Sequence, residues 1–365
     1  MVVNFVNSTQ TLADRYRDFS WWQARGQCDA HEELTARIGQ DPEFCELLAG
    51  SLPPGNKQQP NLLLAAVRHL EGPHAEQGPR GDLAYRRWRE WTVRHWDEVC
   101  AVIMQRATQT NEPARCATLL PLLARLPQPL ALLEVGASAG LCLYPDRYRY
   151  AYEEYGAAAR GPVVEAGAPD SPVTFRCRTS REARVPDGCA APHGPLPEVV
   201  WRAGIDLNPL DPADDPDALR WLQALVWPGA TGRARQLAAA VDAVRGAPRP
   251  RIVRGDLVDE LPALAADAPA DATLVVFHTS VLTYLPLARR ERFAGLVRTL
   301  LTERPGPGHW ISQEHHSVLP WIAAPRSDVL GPAEREPLLT LSLDERPVAL
   351  TGQHGQSLHW VAGTR

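Results

Sequence analysis

One stretch combines residue types that suit ligand binding: Leu132-Leu133-Glu134-Val135-Gly136-Ala137-Ser138-Ala139-Gly140. A short apolar run ends in an acid and small residues, the pattern of a buried strand feeding a tight turn. Small residues let the main chain bend and let a ligand approach it. A helix starting there would offer unpaired N–H groups to a carboxylate or phosphate. A dinucleotide fingerprint needs glycine at 136, 138 and 141; Ser138 and Leu141 occupy two of these positions, so NAD fits poorly. Gly204-Ile205-Asp206-Leu207 ends a second apolar run with an acid able to accept both ribose hydroxyls of a nucleoside. Arg254-Gly255-Asp256-Leu257 ends a third, with its acid placed to reach an adenine amino group, and Phe277-His278-Thr279-Ser280 ends a fourth. Each acid also has a structural alternative: Glu134 can brace the turn, and Asp206 and Asp256 can cap following helices.

Three further groups carry chemistry. Glu314-His315-His316 ends a fifth run, and His278, Glu314 and His315 are the candidates for a general acid or base. Adjacent histidines on a strand face opposite sides, which argues against a metal there. Asn111 and Glu112 either cap a helix or reach over the site formed by the strand ends, with Arg115 one turn later. Cys28 with His31 and Cys189 with His193 have no second pair at zinc-site spacing, so no metal is expected. His354 before Gly355 reads as a turn residue.

The elements that must position these groups follow from periodicity. Strands are expected at 130–135, 199–207, 251–253, 272–277 and 309–312, with helices at 217–226, 233–244 and 287–301 between them. Alternating strands and helices of these lengths argue for a parallel sheet with crossovers. After Pro337 the apolar period becomes two, an antiparallel finish with turns at Asp344-Glu345-Arg346 and His354-Gly355-Gln356. The stretch 161–197, rich in Pro and Gly, reads as an insertion of loops with one hairpin. Residues 1–126 read as a helical cap, including one helix over 85–103 with its aromatic stripe in the core and another from about 110 to 126 bent at Pro121. Residues 127–365 read as the second domain, with its insertion near 150–198. The expected fold is α/β, a mostly parallel sheet with antiparallel C-terminal strands.

Composition narrows the chemistry. Among 365 residues the single lysine is Lys57, in the loop-like Pro53-Pro54-Gly55-Asn56-Lys57-Gln58-Gln59-Pro60. Pyridoxal-phosphate and Schiff-base chemistry need a buried, positioned lysine, and a Walker A loop needs one after glycine, so these classes are excluded. The net charge of −5 and the lack of a basic stripe disfavour nucleic acid. Seven cysteines without a C-x-x-C pair are expected as free thiols in a reducing cytoplasm. No apolar signal core opens the chain and no 18-residue uncharged apolar run occurs, so no membrane partner is expected.

Glu134-x-Gly136-x-Ser138-x-Gly140, then Gly204-Ile205-Asp206, then Gly255-Asp256 resembles the class I S-adenosylmethionine-dependent methyltransferases. The resemblance implies a Rossmann-like sheet plus the helical cap. It implies S-adenosylmethionine as cofactor, held by Glu134, Gly136, Ala137, Ser138, Gly140, Asp206, Leu207, Asp256, Leu257 and His278. Asn111, Glu112 and Arg115 would then face a small-molecule substrate. Ser138 replaces the middle glycine, and 72 residues separate Glu134 from Asp206, far more than the roughly 20 of a compact βαβ unit. Glu153 could instead close the second strand; Asp206 is preferred for its apolar approach Val199-Val200-Trp201. Asn111-Glu112-Pro113-Ala114-Arg115-Cys116, Glu134–Gly140, Gly204–Asp211 and Trp221–Pro228 resemble an uncharacterised bacterial family, domain of unknown function 2332, over nearly the whole chain.

Overall fold

The computed structural model describes residues 11–74, 80–109, 111–155, 163–180, 196–323 and 338–361. The helices are α1 (Leu12–Asp18), α2 (Asp29–Ile38), α3 (Pro42–Ser51), α4 (Pro60–His69), α5 (Asp82–Arg94), α6 (Trp96–Gln105), α7 (Cys116–Leu123), α8 (Pro216–Leu225), α9 (Thr231–Val244), α10 (Leu257–Ala266) and α11 (Leu287–Glu303). The strands are β1 (Leu130–Val135), β2 (Arg149–Tyr155), β3 (Val163–Gly167), β4 (Thr174–Ser180), β5 (Val199–Asp206), β6 (Arg251–Arg254), β7 (Thr273–Thr279), β8 (Gly308–Glu314), β9 (Leu338–Leu343), β10 (Arg346–Gly352) and β11 (Ser357–Trp360). The chain forms two compact units, one of residues 1–110 with 215–235, the other of 111–214 with 236–365. The division falls at 110/111 rather than at the expected 126/127, because α7, buried along its whole length, belongs with the sheet.

The first unit is helical. The helix expected over 85–103 is two, α5 and α6, broken at His95, whose Nδ1 lies 2.8 Å from the Trp91 carbonyl. Lys57 does not sit idle in its loop: its ammonium donates to the carbonyls of Ile103, Met104 and Arg106 at 2.8–2.9 Å, closing the C-terminal end of α6. Segment 215–235 returns to this unit. Asp217 pairs with Arg106, Arg220 and His69, and the Arg68 guanidinium donates to the Ala224 carbonyl at 3.0 Å. Trp227 packs its ring 5.2 Å from that of His31 and 5.7 Å from that of Phe19.

His31 is 5% exposed and its Nδ1 has no hydrogen-bond partner. Burial, reinforced by the nearby Arg68 charge, pushes its pKa down to about 3 from an ordinary 6.5. Between these values the unfolded chain binds a proton that the fold refuses, so stability falls as pH drops through the window, by up to about 1.4 kcal/mol per pH unit. Urea unfolding from pH 7 to pH 4 is expected to show this slope, and His31→Leu to flatten it. Equal slopes in the two proteins would remove His31 as the cause.

The second unit is a mixed α/β assembly around one eleven-stranded, mostly parallel sheet, ordered β3-β2-β4-β11-β10-β9-β8-β7-β1-β5-β6. The strands β5, β6, β7 and β8 all run parallel to their neighbours in the segment centred on β1. Strands β1 and β7 are buried at every residue, which explains their apolar runs Leu130–Leu133 and Leu274–Phe277. On one face Leu133, Val135, Leu274, Val276 and Trp310 pack with Leu261, Leu264, Phe293 and Val297 of α10 and α11. The antiparallel finish forms as expected, with β9 and β10 joined through Asp344 and Glu345 at φ 49° and 63°, the conformation of a primed hairpin turn.

The expected helix after the glycine-bearing turn is absent. A single 3₁₀ turn, Leu141–Leu143, leads into extended chain. Tyr148, just before β2, and Tyr150 and Tyr152 within it then alternate, their hydroxyls donating to the carbonyls of Leu141, Pro145 and Ala117 at 2.7–2.8 Å. Three strands are thus added to the same sheet: β2 pairs antiparallel with β3, and β4 lies parallel between β2 and β11, so the antiparallel pair begins before the stretch 161–197 where a hairpin was expected. Residues 181–195 lie outside the described residues. Cys28, Cys45, Cys100, Cys116, Cys142 and Cys177 are free thiols, and Cys189 lies outside the described residues.

Candidate functional site

The candidate residues gather where β1, β5 and β7 end. Glu134 pairs with Gly204 of β5 and Phe277 of β7. Its side chain is 2% exposed and its Oε2 has no hydrogen-bond partner. Burial pushes its carboxyl well above the usual carboxylate range; Cys142 and Asp206 add to the rise and Arg115 opposes it.

Left-handed backbone shapes the turn that follows, with φ 73° at Gly136, 51° at Ser138 and 66° at Gly140. Gly136 also leaves no room for a side chain, because a Cβ there would sit 2.4 Å from Val281 Cγ2. Five N–H groups in and just after the turn are engaged within the chain. Those of Gly136 and Ala137 donate to the Ile205 carbonyl at 2.8 and 3.0 Å, and that of Ser138 donates to Asp206 Oδ2 at 2.8 Å. Gly140 N–H donates to the Ala137 carbonyl at 2.6 Å and Leu141 N–H to Asn111 Oδ1 at 2.9 Å.

The remaining candidates are likewise built into the scaffold. Asp206 accepts from Ser138 on one oxygen and from Asn208 N–H, at 2.7 Å, on the other. It caps no helix; α8 is capped by Asp215. Leu207 beside it is 71% exposed. Asp256 caps α10 by accepting from Val258 N–H at 2.9 Å, and it pairs with Arg289 at 2.5 Å; Leu257 is the first residue of that helix. Asn111 completes its clamp by donating to the Ala137 carbonyl at 3.0 Å. Glu112 caps the 3₁₀ turn Pro113–Arg115 and lies 3.7 Å from His354 Nδ1. Arg115 donates to the Gln353 carbonyl and to both oxygens of Thr279, at 2.9–3.0 Å.

His278 and Glu314 meet in the interior. His278 is fully buried, and its Nδ1 lies 2.8 Å from Glu314 Oε1. The same oxygen accepts from the N–H groups of Val281 and Leu282 at 2.8 and 2.9 Å. This carboxylate, not read as a brace from the sequence, therefore fixes the segment that presses Val281 onto Gly136. Strand alternation places His278 and Glu314 on the α10–α11 face of the sheet, whereas Glu134, Thr279 and Arg115 share the other face. The acid–base candidates and the turn candidates therefore lie on opposite faces of one sheet edge. His315, beyond the end of β8, shares a hydrogen bond with Ser317 Oγ at 2.8 Å. The expectation that His315 and His316 face opposite sides fails, because β8 has ended: their rings lie 4.0 Å apart. Among the described residues no three His, Cys, Asp or Glu side chains are grouped to hold a metal ion, and no helix is long and apolar enough to cross a membrane.

A family model described as "Uncharacterized protein conserved in bacteria (DUF2332)" matches residues 13–360. The chain belongs to this family. Neither the curated proteins nor the solved structures compared with the chain include a match. Membership spans both compact units, so the family is defined by the helical unit and the sheet unit together.

Proposed function

We propose that the chain is an S-adenosylmethionine-dependent transferase with a Rossmann-like, class I methyltransferase-type sheet, moving a methyl group to a nitrogen, oxygen or carbon of a small molecule in the cytoplasm. The observation that carries this reading is the strand order β6-β5-β1-β7-β8. The parallel segment begins at β1 and winds outward in both directions. The Glu134–Gly140 turn therefore lies at the crevice between β1 and β7 where such sheets bind ligands, with Asp206 and Asp256 at the next two strand ends. An adenosyl sulfonium cofactor would supply an activated carbon there, and the protein's part is to bind and align it.

The residues fit that cofactor in part. Glu134 keeps an unpartnered oxygen and Asp206 is partly exposed, which leaves acceptors for an amine and for hydroxyls. The N–H donors of Gly136, Ala137, Ser138 and Gly140 are taken, and Val281 fills the space over Gly136. The observation that those donors are engaged supports a second reading, a nucleoside-binding or purely structural module without catalysis. A third keeps the cofactor but transfers or cyclises its aminocarboxypropyl group.

Calorimetry with S-adenosylmethionine and S-adenosylhomocysteine at millimolar concentration separates these readings. Heat that is lost in Asp206→Ala is the expected result; no heat from either ligand would overturn the cofactor. Product analysis then distinguishes S-adenosylhomocysteine, the methyl route, from methylthioadenosine, the aminocarboxypropyl route.

A further inference from the structure

Between β8 and β9, on the α10–α11 face, lies a small cavity of about 10 Å³, room for about one water molecule. Ser312, Glu314, His315, His316, Thr340 and Ser342 line its polar side, and Leu319 and Ile322 its apolar side. Ser312 stands opposite Ser342 in the β8–β9 ladder, and Glu314 opposite Thr340. Three of these buried groups have no hydrogen-bond partner within the chain: Glu314 Oε2, Thr340 Oγ1 and Ser342 Oγ. Their side chains are 2%, 7% and 1% exposed. Orphaned polar atoms at this depth cost free energy unless a guest satisfies them.

We propose that this cavity is a binding site for one water molecule, which donates to Glu314 Oε2 and accepts from the hydroxyls of Thr340 and Ser342. The size admits nothing larger. The donor count selects water over a monovalent cation. A carboxylate oxygen only accepts, whereas a hydroxyl has a hydrogen to place. A cation would need the hydroxyl lone pairs turned inward, whereas water accepts the hydroxyl hydrogens and donates to the carboxylate. Water, with two donors and two acceptors, matches all three groups. The site has a positioning role. Glu314 Oε1 already holds His278 and the N–H groups of Val281 and Leu282, and the water would fix the second oxygen, so that the carboxylate cannot rotate away from them.

The test is Thr340→Val, which keeps the shape and removes the hydroxyl. If water is bound, the variant loses one of its bonds and Tm falls by a few degrees. Oxygen-17 relaxation dispersion would then show weaker retention of a long-lived water than in the unmodified chain, and a high-resolution crystal structure of that chain would show a peak within hydrogen-bond distance of all three atoms. An unchanged or raised Tm would mean that the hydroxyl was an orphan in a dry cavity and would overturn the proposal. An anomalous peak in the cavity after soaking with rubidium would overturn it in favour of a cation.

Discussion

Glu314→Ala is expected to cost about 3–5 kcal/mol, the largest loss for any single substitution considered for the sheet unit. One oxygen of this side chain serves His278 Nδ1 and the N–H groups of Val281 and Leu282, all within 2.9 Å. Alanine leaves three buried donors without an acceptor, each worth about 1–3 kcal/mol, offset where the backbone relaxes toward solvent. Glu314→Gln keeps an acceptor oxygen and is expected to recover about half of the loss. Urea unfolding of the three proteins at pH 7 checks this. A loss under about 1 kcal/mol for the alanine variant would show that the dyad merely occupies space.

Gly136→Ala is expected to destabilise by about 2–4 kcal/mol through two separable causes. The residue has φ 73°, which an L side chain tolerates poorly. Its new methyl would also meet Val281 Cγ2 at 2.4 Å, where something must move. Val281→Ala relieves the second cause and leaves the first. The double variant should therefore be more stable than the two single losses added together, with a coupling of about 1–3 kcal/mol. Strict additivity would mean that the strain is all backbone and that Val281 yields freely. The cycle thus reports how firmly Val281 is held against the turn.

Some of this was readable in the residues and some was not. Strands β1 and β7 stand out because burial on both faces leaves few polar positions, with Glu134 and His278 the ionisable ones. The closing β9–β10–β11 meander shows in its period of two. The Tyr148-x-Tyr150-x-Tyr152 alternation marks a strand too, the one that Glu153 could have closed; both it and β5 are strands of the sheet. What spacing cannot reveal is the partner of a polar side chain. Asn111 and Asp206 are the types that would hold a ligand, yet they clamp the turn from 26 and 68 residues away. Glu314 looked like a proton-transfer group for the same reason, and its three donors come from a segment more than 30 residues earlier. A carboxylate engaged by its own backbone and one reserved for a ligand are the same letter in a sequence.

The helical unit draws on two stretches of chain, 1–110 and 215–235, and this has a consequence for biosynthesis. Trp221 and Trp227, which cover His69 and His31, are translated only after much of the sheet unit has left the ribosome. At about 5–20 residues per second, on the order of 6–25 s separate Thr110 from Arg235. Throughout that interval the nascent amino-terminal helices must wait with an uncovered apolar pocket, a state that invites chaperone capture.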